Sequence, residues 1–170
     1  MKQETLQAET IITAAPGEQQ LFITREFDAP REVVFQAYID PKLFTRWMGP
    51  RQHTMQLERF EPRKGGSWRY TSACMEGQSY SFNGVFHEVT APERIIQTME
   101  FEGLPEPGHV ALETARFEAL PDGRTRVVAQ AVYQSVADRD GHLCAGMEWG
   151  VKESHARLDA LLEAMLVEQA

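Results

Sequence analysis

Strand-like segments follow one another through the middle of the chain, and this succession constrains the fold more than any other feature. Six of them, rich in strand-forming residues and separated by turn signals, span residues 55–60, 67–75, 79–89, 94–101, 110–119 and 125–133. The linkers between neighbours are short, whereas a parallel pair needs a crossover of about a dozen residues or more. The middle of the chain is therefore predicted to form an antiparallel sheet.

One further strand and two short helices precede these segments. Residues 20–27 are rich in strand formers, and Asp28-Ala29-Pro30 interrupts them. The helical face that follows consists of Val33, Val34, Ala37 and Tyr38. Asp40-Pro41 then combines an N-cap acceptor with a proline in the first turn, which predicts a second helix ending near Trp47.

The C-terminal end has a different pattern. Residues 138–168 contain no proline and predict one long amphipathic helix. Its apolar positions recur at three- and four-residue steps: Leu143, Met147, Val151, Ser154, Leu158, Leu161, Leu162 and Met165. One helix cannot cover both faces of a seven-stranded sheet, so we expect an α+β protein whose curved antiparallel sheet wraps around this helix. The space between them is a candidate ligand pocket.

The domain boundary is predicted close to residue 20. Residues 1–19 are mostly polar and end in a breaker cluster, which indicates a flexible N-terminal tail. Within it, the short Ile11-Ile12 pair leaves an additional edge strand open, but it is not counted among the seven predicted strands. Residues 20–168 are predicted to form a single domain, which suits the roughly 100–200 residues of an average domain.

Five motifs, in order, resemble those of one family. Phe27-Asp28-Ala29-Pro30-Arg31-Glu32-Val33-Val34-Phe35 is similar to F-x-A-P-x-E-x-V-F, and Asp40-Pro41, Leu43 and Trp47-Met48-Gly49-Pro50 to D-P-x-x-L-x-x-W-W-G-P. Gly65-Gly66-Ser67-Trp68-Arg69 resembles a glycine-pair strand entry, and residues 84–95 resemble G-x-Y-x-E-V-x-x-P-E-R-L. Gly146-Met147-Glu148, Gly150 and Leu158 resemble the start of a closing helix. Together they resemble the bacterial relatives of the activator of heat-shock protein 90 ATPase, within the START and birch-pollen-allergen superfamily.

This resemblance covers about residues 20–166 and implies the helix-grip fold with a hydrophobic cavity. Some members of the superfamily bind lipids, hormones or polyketides, and a minority catalyse cyclisation or dehydration. Two positions depart from the pattern: Met48 replaces the second tryptophan of W-W-G-P, and Val151 replaces a tryptophan of the closing helix while Trp149 lies nearby. The cavity is therefore expected to differ in shape from that of its relatives.

The candidate ligand-binding residues are the large apolar side chains expected on the inner face. They are Trp47, Trp68, Tyr70, Phe82, Phe86, Met99, Phe101, Tyr133, Met147 and Trp149. About half of them are expected to line the pocket and the others to fill the core. Tyr70 and Tyr133 also carry a hydroxyl that could orient a ligand. We therefore predict binding of a small hydrophobic, lipid- or polyketide-like molecule, with no cofactor.

Catalysis is the first alternative, and we expect binding rather than turnover. The acid–base candidates are Glu88, Tyr70, Tyr133 and His87. Strict alternation from Tyr80 to Val89 places Glu88 on the aromatic face, where we expect it to pair with Arg94, and His87 on the outer face. No catalytic residue is assigned. A cyclase or dehydratase would need a titratable side chain with a shifted pKa inside the pocket.

Composition excludes several other classes of protein. With 17 Lys and Arg against 25 Asp and Glu, the formal net charge of −8 disfavours a nucleic-acid partner. The histidines and two cysteines form no metal-ligand motif, so no metal is expected.

The remaining expectations concern location and partners. No apolar run approaches the roughly 20 residues of a membrane span, and the N-terminus lacks the apolar core of a signal peptide, which together predict a cytoplasmic protein. An exposed edge strand leaves a homodimer open. A co-chaperone-like interaction module is the second functional alternative, although a heat-shock ATPase partner is not expected.

Overall fold

The computed structural model describes residues 8–169 and contains one antiparallel sheet of eight strands. The strands are β1 (Ile11–Thr13), β2 (Gln20–Phe27), β3 (His53–Phe60), β4 (Ser67–Cys74), β5 (Ser79–Thr90), β6 (Arg94–Phe101), β7 (Val110–Ala119) and β8 (Thr125–Val132). Their order across the sheet is β1-β2-β8-β7-β6-β5-β4-β3. Only the β2–β8 contact joins strands distant in the sequence, so the predicted antiparallel α+β architecture is confirmed.

Two short helices, α1 (Arg31–Ile39) and α2 (Pro41–Trp47), connect β2 to β3. The Asp40 side chain caps α2 by accepting hydrogen bonds from the backbone N–H groups of Lys42, at 2.8 Å, and Leu43, at 3.4 Å. Proline in the first turn loses no hydrogen bond, because that N–H has no partner inside a helix. The sequence signals for both helices therefore correspond to real helix starts.

The predicted long C-terminal helix is two helices, α3 (Val136–Cys144) and α4 (Met147–Glu168). Gly146, which adopts φ +86°, lies at the break between them. A left-handed residue interrupts a right-handed helix, and glycine adopts that conformation without steric cost. The expectation of one helix over residues 138–168 is therefore wrong at this point, because the absence of proline does not guarantee continuity.

The eighth strand is β1, which contains the Ile11-Ile12 pair left out of the predicted sheet. It pairs antiparallel with β2, with Ile12 opposite Ile23. A three-residue strand carries too short an alternation to be predicted from its own sequence. The pairing places β1 at one edge of the sheet and leaves β3 at the other.

The pairing of β5 with β6 is interrupted near Gly84. The pairing runs through Asn83 and Glu100, is interrupted at Gly84 and Val85, and resumes at Phe86 and Gln97. The backbone N–H of Val85 instead donates to the Thr98 hydroxyl at 3.0 Å. A Cβ on Gly84 would lie 1.9 Å from the Thr98 carbonyl oxygen, so only glycine permits this close approach.

The side chains between sheet and helices form two buried clusters. The larger cluster lies where α1, α2 and the C-terminal half of α4 meet the sheet, and includes Phe27, Phe35, Trp47 and Leu158. The smaller cluster is Leu21, Ala111, Ala131 and Tyr133, with Leu143 and Met147 of the α3–α4 region against it. Partly buried Met99 packs against both clusters, so it marks the zone where they meet.

Candidate functional site

Four inward-pointing side chains on β4, β5 and β6 remain partly exposed. We call Tyr70, Phe82, Met99 and Phe101 the open inner face. Tyr70, Phe82 and Met99 pack against the larger core cluster, which fixes their direction. The Phe101 ring lies 5.3 Å from that of Phe82. These side chains point toward the core and keep some solvent exposure, so the space between them and α4 is the candidate site.

The position of α4 explains this space. Its closest backbone packing is with α1, α2 and α3 rather than with any strand. The helix is therefore held at a distance by other helices, and only side chains fill the gap between α4 and the sheet. Such a gap between a curved sheet and a helix is a common place for a small-molecule site.

Three of the four side chains of the open inner face are aromatic, and their rings are neighbours. The rings of Tyr70 and Phe82 lie 5.3 Å apart at 32°, and those of Phe82 and Phe101 lie 5.3 Å apart at 37°. Trp68 continues the row, 5.6 Å from Tyr70 at 21°. These neighbouring rings, tilted to one another, form a continuous apolar surface.

A carboxyl group lies on the same inner face. Glu113 of β7 lies opposite Gln97 of β6 and Ala131 of β8. The Gln97 amide donates to Glu113 Oε1 at 3.4 Å. Burial raises the pKa of the Glu113 carboxyl, and the Gln97 hydrogen bond only partly offsets this effect.

The phenols of Tyr70 and Tyr133 lie close enough to this carboxyl for its charge to affect their pKa. Burial raises the pKa of Tyr70 and of Tyr133, and the negative charge of Glu113 raises both further. The Tyr133 hydroxyl is hydrogen-bonded to Nδ1 of His142 on α3. Burial lowers the pKa of His142, so a neutral imidazole is favoured there. The inner face therefore combines apolar rings with weakly hydrated proton donors and acceptors.

The structure divides the ten sequence-predicted ligand residues into groups. Tyr70, Phe82, Met99 and Phe101 form the open inner face, and Met147 lies partly buried beside the smaller cluster. Four others are buried in the core: Trp47, Trp68, Phe86 and Tyr133. Trp149 is 59% exposed and is not brought to the inner face. The expectation that about half of them line a ligand pocket stays a prediction.

The buried tryptophans differ in their polar atoms. The Trp47 indole N–H donates to the Ala37 carbonyl at 2.9 Å, which anchors α2 to α1. The Trp68 indole N–H is buried and has no partner among residues 8–169. An unpaired buried donor lowers stability, so Trp68 is an unusual residue at the margin of the open inner face.

The acid–base candidates on β5 lie outside this space. His87 is exposed, as predicted. Glu88 pairs with Arg94 through hydrogen bonds of 2.9 and 2.8 Å, also as predicted. Its predicted place on the aromatic face is wrong, because a β-bulge after Phe86 shifts the register and brings Val89 against the core instead.

Glu113 and Gln97 were not among the sequence candidates. The signal was present in β7, where strict alternation places Glu113 with Ala111, Ala115 and Phe117 on one face. A carboxylate in an otherwise apolar alternating series is an anomaly that indicates a site. Gln97 occupies the corresponding place between Ile95 and Met99 on β6.

Two open concavities lie on the surface, away from the ten predicted ligand-binding residues. One of about 260 Å³ is lined by Arg46, Arg51, Arg157, Ala160 and Leu161. The other, of about 420 Å³, is lined by Arg31, Glu88, Thr90, Glu93, Arg94, Arg116, Phe117 and Glu118. Within residues 8–169, no group of three His, Cys, Asp or Glu side chains could hold a metal ion. None of the helices described is long and apolar enough to cross a bilayer.

Comparison with known proteins gives a family and a set of similar structures. The family model for "Activator of Hsp90 ATPase homolog 1-like protein" matches residues 28–163. A structure from Rhodobacter sphaeroides is 27% identical, with a TM-score of 0.80 over 90% of this chain and 98% of that chain. One from Mycobacterium smegmatis is 25% identical, with a TM-score of 0.78 over 89% and 97% of the two chains. One from Arthrobacter aurescens, 24% identical with a TM-score of 0.81 over 91% of each chain, shares the fold. No curated protein shows significant similarity.

Proposed function

The chain belongs to the Activator of Hsp90 ATPase homolog 1-like family, and we propose that it binds a small hydrophobic molecule between its sheet and α4. The ligand would contact the open inner face, with Met147 at the α4 side. The observation that carries the proposal is that these inward-pointing side chains are still accessible. An apolar surface inside a folded domain is stabilised when an apolar ligand covers it.

The stacked rings support a planar ligand. Phe82 lies between Tyr70 and Phe101 with both centroid distances at 5.3 Å, so a flat molecule would meet aromatic surface along its length. Aromatic pairs contribute roughly 0.5–1.5 kcal/mol beyond their buried area. A fused-ring or polyketide-like ligand therefore fits this surface better than a branched aliphatic one.

Fluorescence titration with naphthalene tests the proposal directly. We expect saturable one-to-one binding, and we expect Phe82→Ala to weaken it by about tenfold, since about 1.4 kcal/mol of contact energy would be lost. Leu112→Ala is the matched control, because Leu112 is 45% exposed and lies on β7 one residue from Glu113, on the opposite face. The control should bind like the wild type.

Two results would contradict the proposal. One is the absence of saturable binding by the folded wild-type protein. The other is equal weakening by Phe82→Ala and Leu112→Ala, which would mean that naphthalene binds non-specifically. Native mass spectrometry of freshly purified protein complements the titration, because a stoichiometric apolar passenger would name the chemical class of ligand.

An acid–base enzyme of cyclase or dehydratase type is a second candidate. It is favoured by Glu113, a carboxyl whose pKa is raised by burial and which faces the same space. A carboxyl with a raised pKa is suited to proton transfer near neutral pH. The test is incubation of any extracted passenger with wild type and Glu113→Gln. Conversion by the wild type alone supports catalysis, and an unchanged passenger supports binding.

A co-chaperone role is not proposed, despite the family description. Such a role needs a contiguous apolar patch on the outside of the protein. Among the described residues, the most exposed large apolar side chains belong to separate segments: Ile11 on β1, Met75 after β4, Trp149 at the start of α4 and Val167 at its end.

A further inference from the structure

We propose that Glu113 and Gln97 select ligands by their polar end: a phenol, alcohol or amine binds against Glu113, and a carboxylate is rejected. This inference rests on the proposed function and specifies the chemistry of the same site. It predicts that fatty acids and aromatic acids are poor ligands, although their apolar parts would suit the open inner face.

Glu113 lies near the centre of the inner face rather than at its rim. Its neighbours on the same face of β7 are Ala111, which is buried, and Ala115. Ala131 lies opposite it on β8. Three of its neighbours on this face are therefore alanines, and the long side chain beside the carboxyl is that of Gln97 on β6. The carboxyl is thus the principal polar feature that a ligand lying across β6 and β7 would meet.

The carboxyl has unused hydrogen-bonding capacity. Its one hydrogen bond within residues 8–169 comes from Gln97 at 3.4 Å, which is long for an N–H···O contact. Glu113 Oε2 has no protein donor in that part of the chain. A buried carboxylate accepts two or more hydrogen bonds when it is fully satisfied. A ligand that supplies an O–H or N–H would complete this set.

Among residues 8–169, no Lys, Arg or His side chain forms an ion pair with Glu113. The buried Arg25 pairs with Asp159 of α4, and the buried Arg139 donates to the Ala15 and Gln20 carbonyls and to Asp140. Both interior guanidinium groups are therefore occupied elsewhere. A carboxylate ligand would place a second negative charge beside Glu113 in a weakly solvated space, and like charges repel strongly there.

Three matched probes separate the polar end from the apolar body: naphthalene, 2-naphthol and 2-naphthoate, titrated by fluorescence at pH 7.5. We expect wild type to bind 2-naphthol about tenfold more tightly than naphthalene, as befits one hydrogen bond to a charged group. We expect 2-naphthoate to bind at least about tenfold more weakly than naphthalene. Hydroxyl and carboxylate should therefore shift affinity in opposite directions.

Two variants assign these differences to Glu113. In Glu113→Leu the advantage of 2-naphthol over naphthalene should disappear, and in Glu113→Gln the penalty against 2-naphthoate should disappear, because an amide can donate to it. Glu118→Gln is the matched control: Glu118 lies on the same strand, is exposed, and should leave all three affinities unchanged. Circular dichroism establishes that each variant is folded.

The outcomes separate this inference from the proposed function. If none of the probes binds folded wild type, both are overturned. If naphthalene binds but 2-naphthol gains nothing and 2-naphthoate loses nothing, binding stands and the role of Glu113 is overturned. The same holds if the penalty against 2-naphthoate survives in folded Glu113→Gln, which keeps the length and shape of the side chain should Glu113→Leu fail to fold.

Discussion

Two parts of the inner face use similar side chains and differ in how completely they are covered. At the closed end, Phe27, Phe35 and Trp47 are at most 1% exposed. At the open inner face, Phe82 and Phe101 point in the same direction and remain partly exposed. Residue type therefore does not decide whether an aromatic side chain becomes core or lining.

The helices that reach each part account for the difference. At the closed end, α1 and α2 pack against α4, and Phe35 of α1 packs on Phe117 of β7 with ring centroids 4.9 Å apart. The open inner face lies on β4 to β6, where Phe44 of α2 reaches Tyr70, with ring centroids 6.0 Å apart. The insertion between β2 and β3 thus seals one side of the space and leaves the other available.

The largest expected effect is the contrast between two phenylalanines. Phe27→Ala should lower the free energy of unfolding by about 3–5 kcal/mol, because a large cavity opens in a packed region. Phe101→Ala should cost only about 1 kcal/mol, because its side chain is already in contact with solvent. Urea denaturation of both variants measures the difference. Similar losses would show that the two regions are equally packed.

An intermediate effect is expected from the histidine of the closed end. His155 of α4 is 8% exposed, its Nδ1 lies 2.7 Å from the Thr10 hydroxyl, and its ring meets Phe27 edge to face. Burial, and secondly the positive charge of Arg25, lower its pKa to about 3. The neutral imidazole thus stabilises the fold fully above the unfolded pKa of about 6.5, and this stability is lost as pH falls toward 3.

Between pH 7.5 and pH 5 this loss amounts to about 2 kcal/mol, as calculated from 1.36 kcal/mol per pH unit below the unfolded pKa. Urea unfolding of wild type and His155→Gln at both pH values measures it. The wild type should lose about 2 kcal/mol more than the variant over this interval. Equal losses of unfolding free energy in the two proteins would contradict this prediction, because they would mean that the pKa of His155 is the same in the folded and unfolded states.

The smallest effect is expected for Glu113→Gln. This substitution should raise stability at pH 7.5, whereas most substitutions lower it. Burial raises the pKa of this carboxyl, so its contribution to stability is present at low pH and falls as pH rises above the unfolded pKa. Glu113→Gln should therefore raise the melting temperature slightly at pH 7.5 and leave it nearly unchanged at pH 4. Glu118→Gln should show no such pH dependence. A lower melting temperature for Glu113→Gln at pH 7.5 would identify Glu113 as a structural residue.

The order and type of most helices and strands could be predicted from the sequence, because the signals that specify them are local. Strand segments with turn residues between them, and caps such as Asp40, specify elements without reference to distant parts of the chain. The inner faces of β4 and β6 also followed from alternation. The glycine break at Gly146 was missed because an isolated glycine within a helical pattern is tolerated as often as it ends the helix.

The site was harder to predict because it depends on which positions the helices leave uncovered. Nothing in the local sequence distinguishes Phe86, which is 2% exposed, from Phe82 four residues earlier. The bulge that moved Glu88 outward likewise arises from the pairing of two strands. Glu113 could have been found by its alternation alone, since a charge among Ala111, Ala115 and Phe117 is anomalous whatever the fold.

At Gly84, the addition of one methyl group would disturb the pairing of β5 with β6. A side chain there would collide with the Thr98 carbonyl and with the Trp68 indole, whose Nε1 lies 2.6 Å from the place of a Cβ. Strands β5 and β6 would have to move apart at this point, and the curvature of the sheet would change. The spacing of β5 and β6 beside the open inner face thus depends on Gly84, a residue that a ligand need not contact. Variation at this position would act on the capacity of the site as a whole, whereas variation at Phe82 or Glu113 would act on what the site selects.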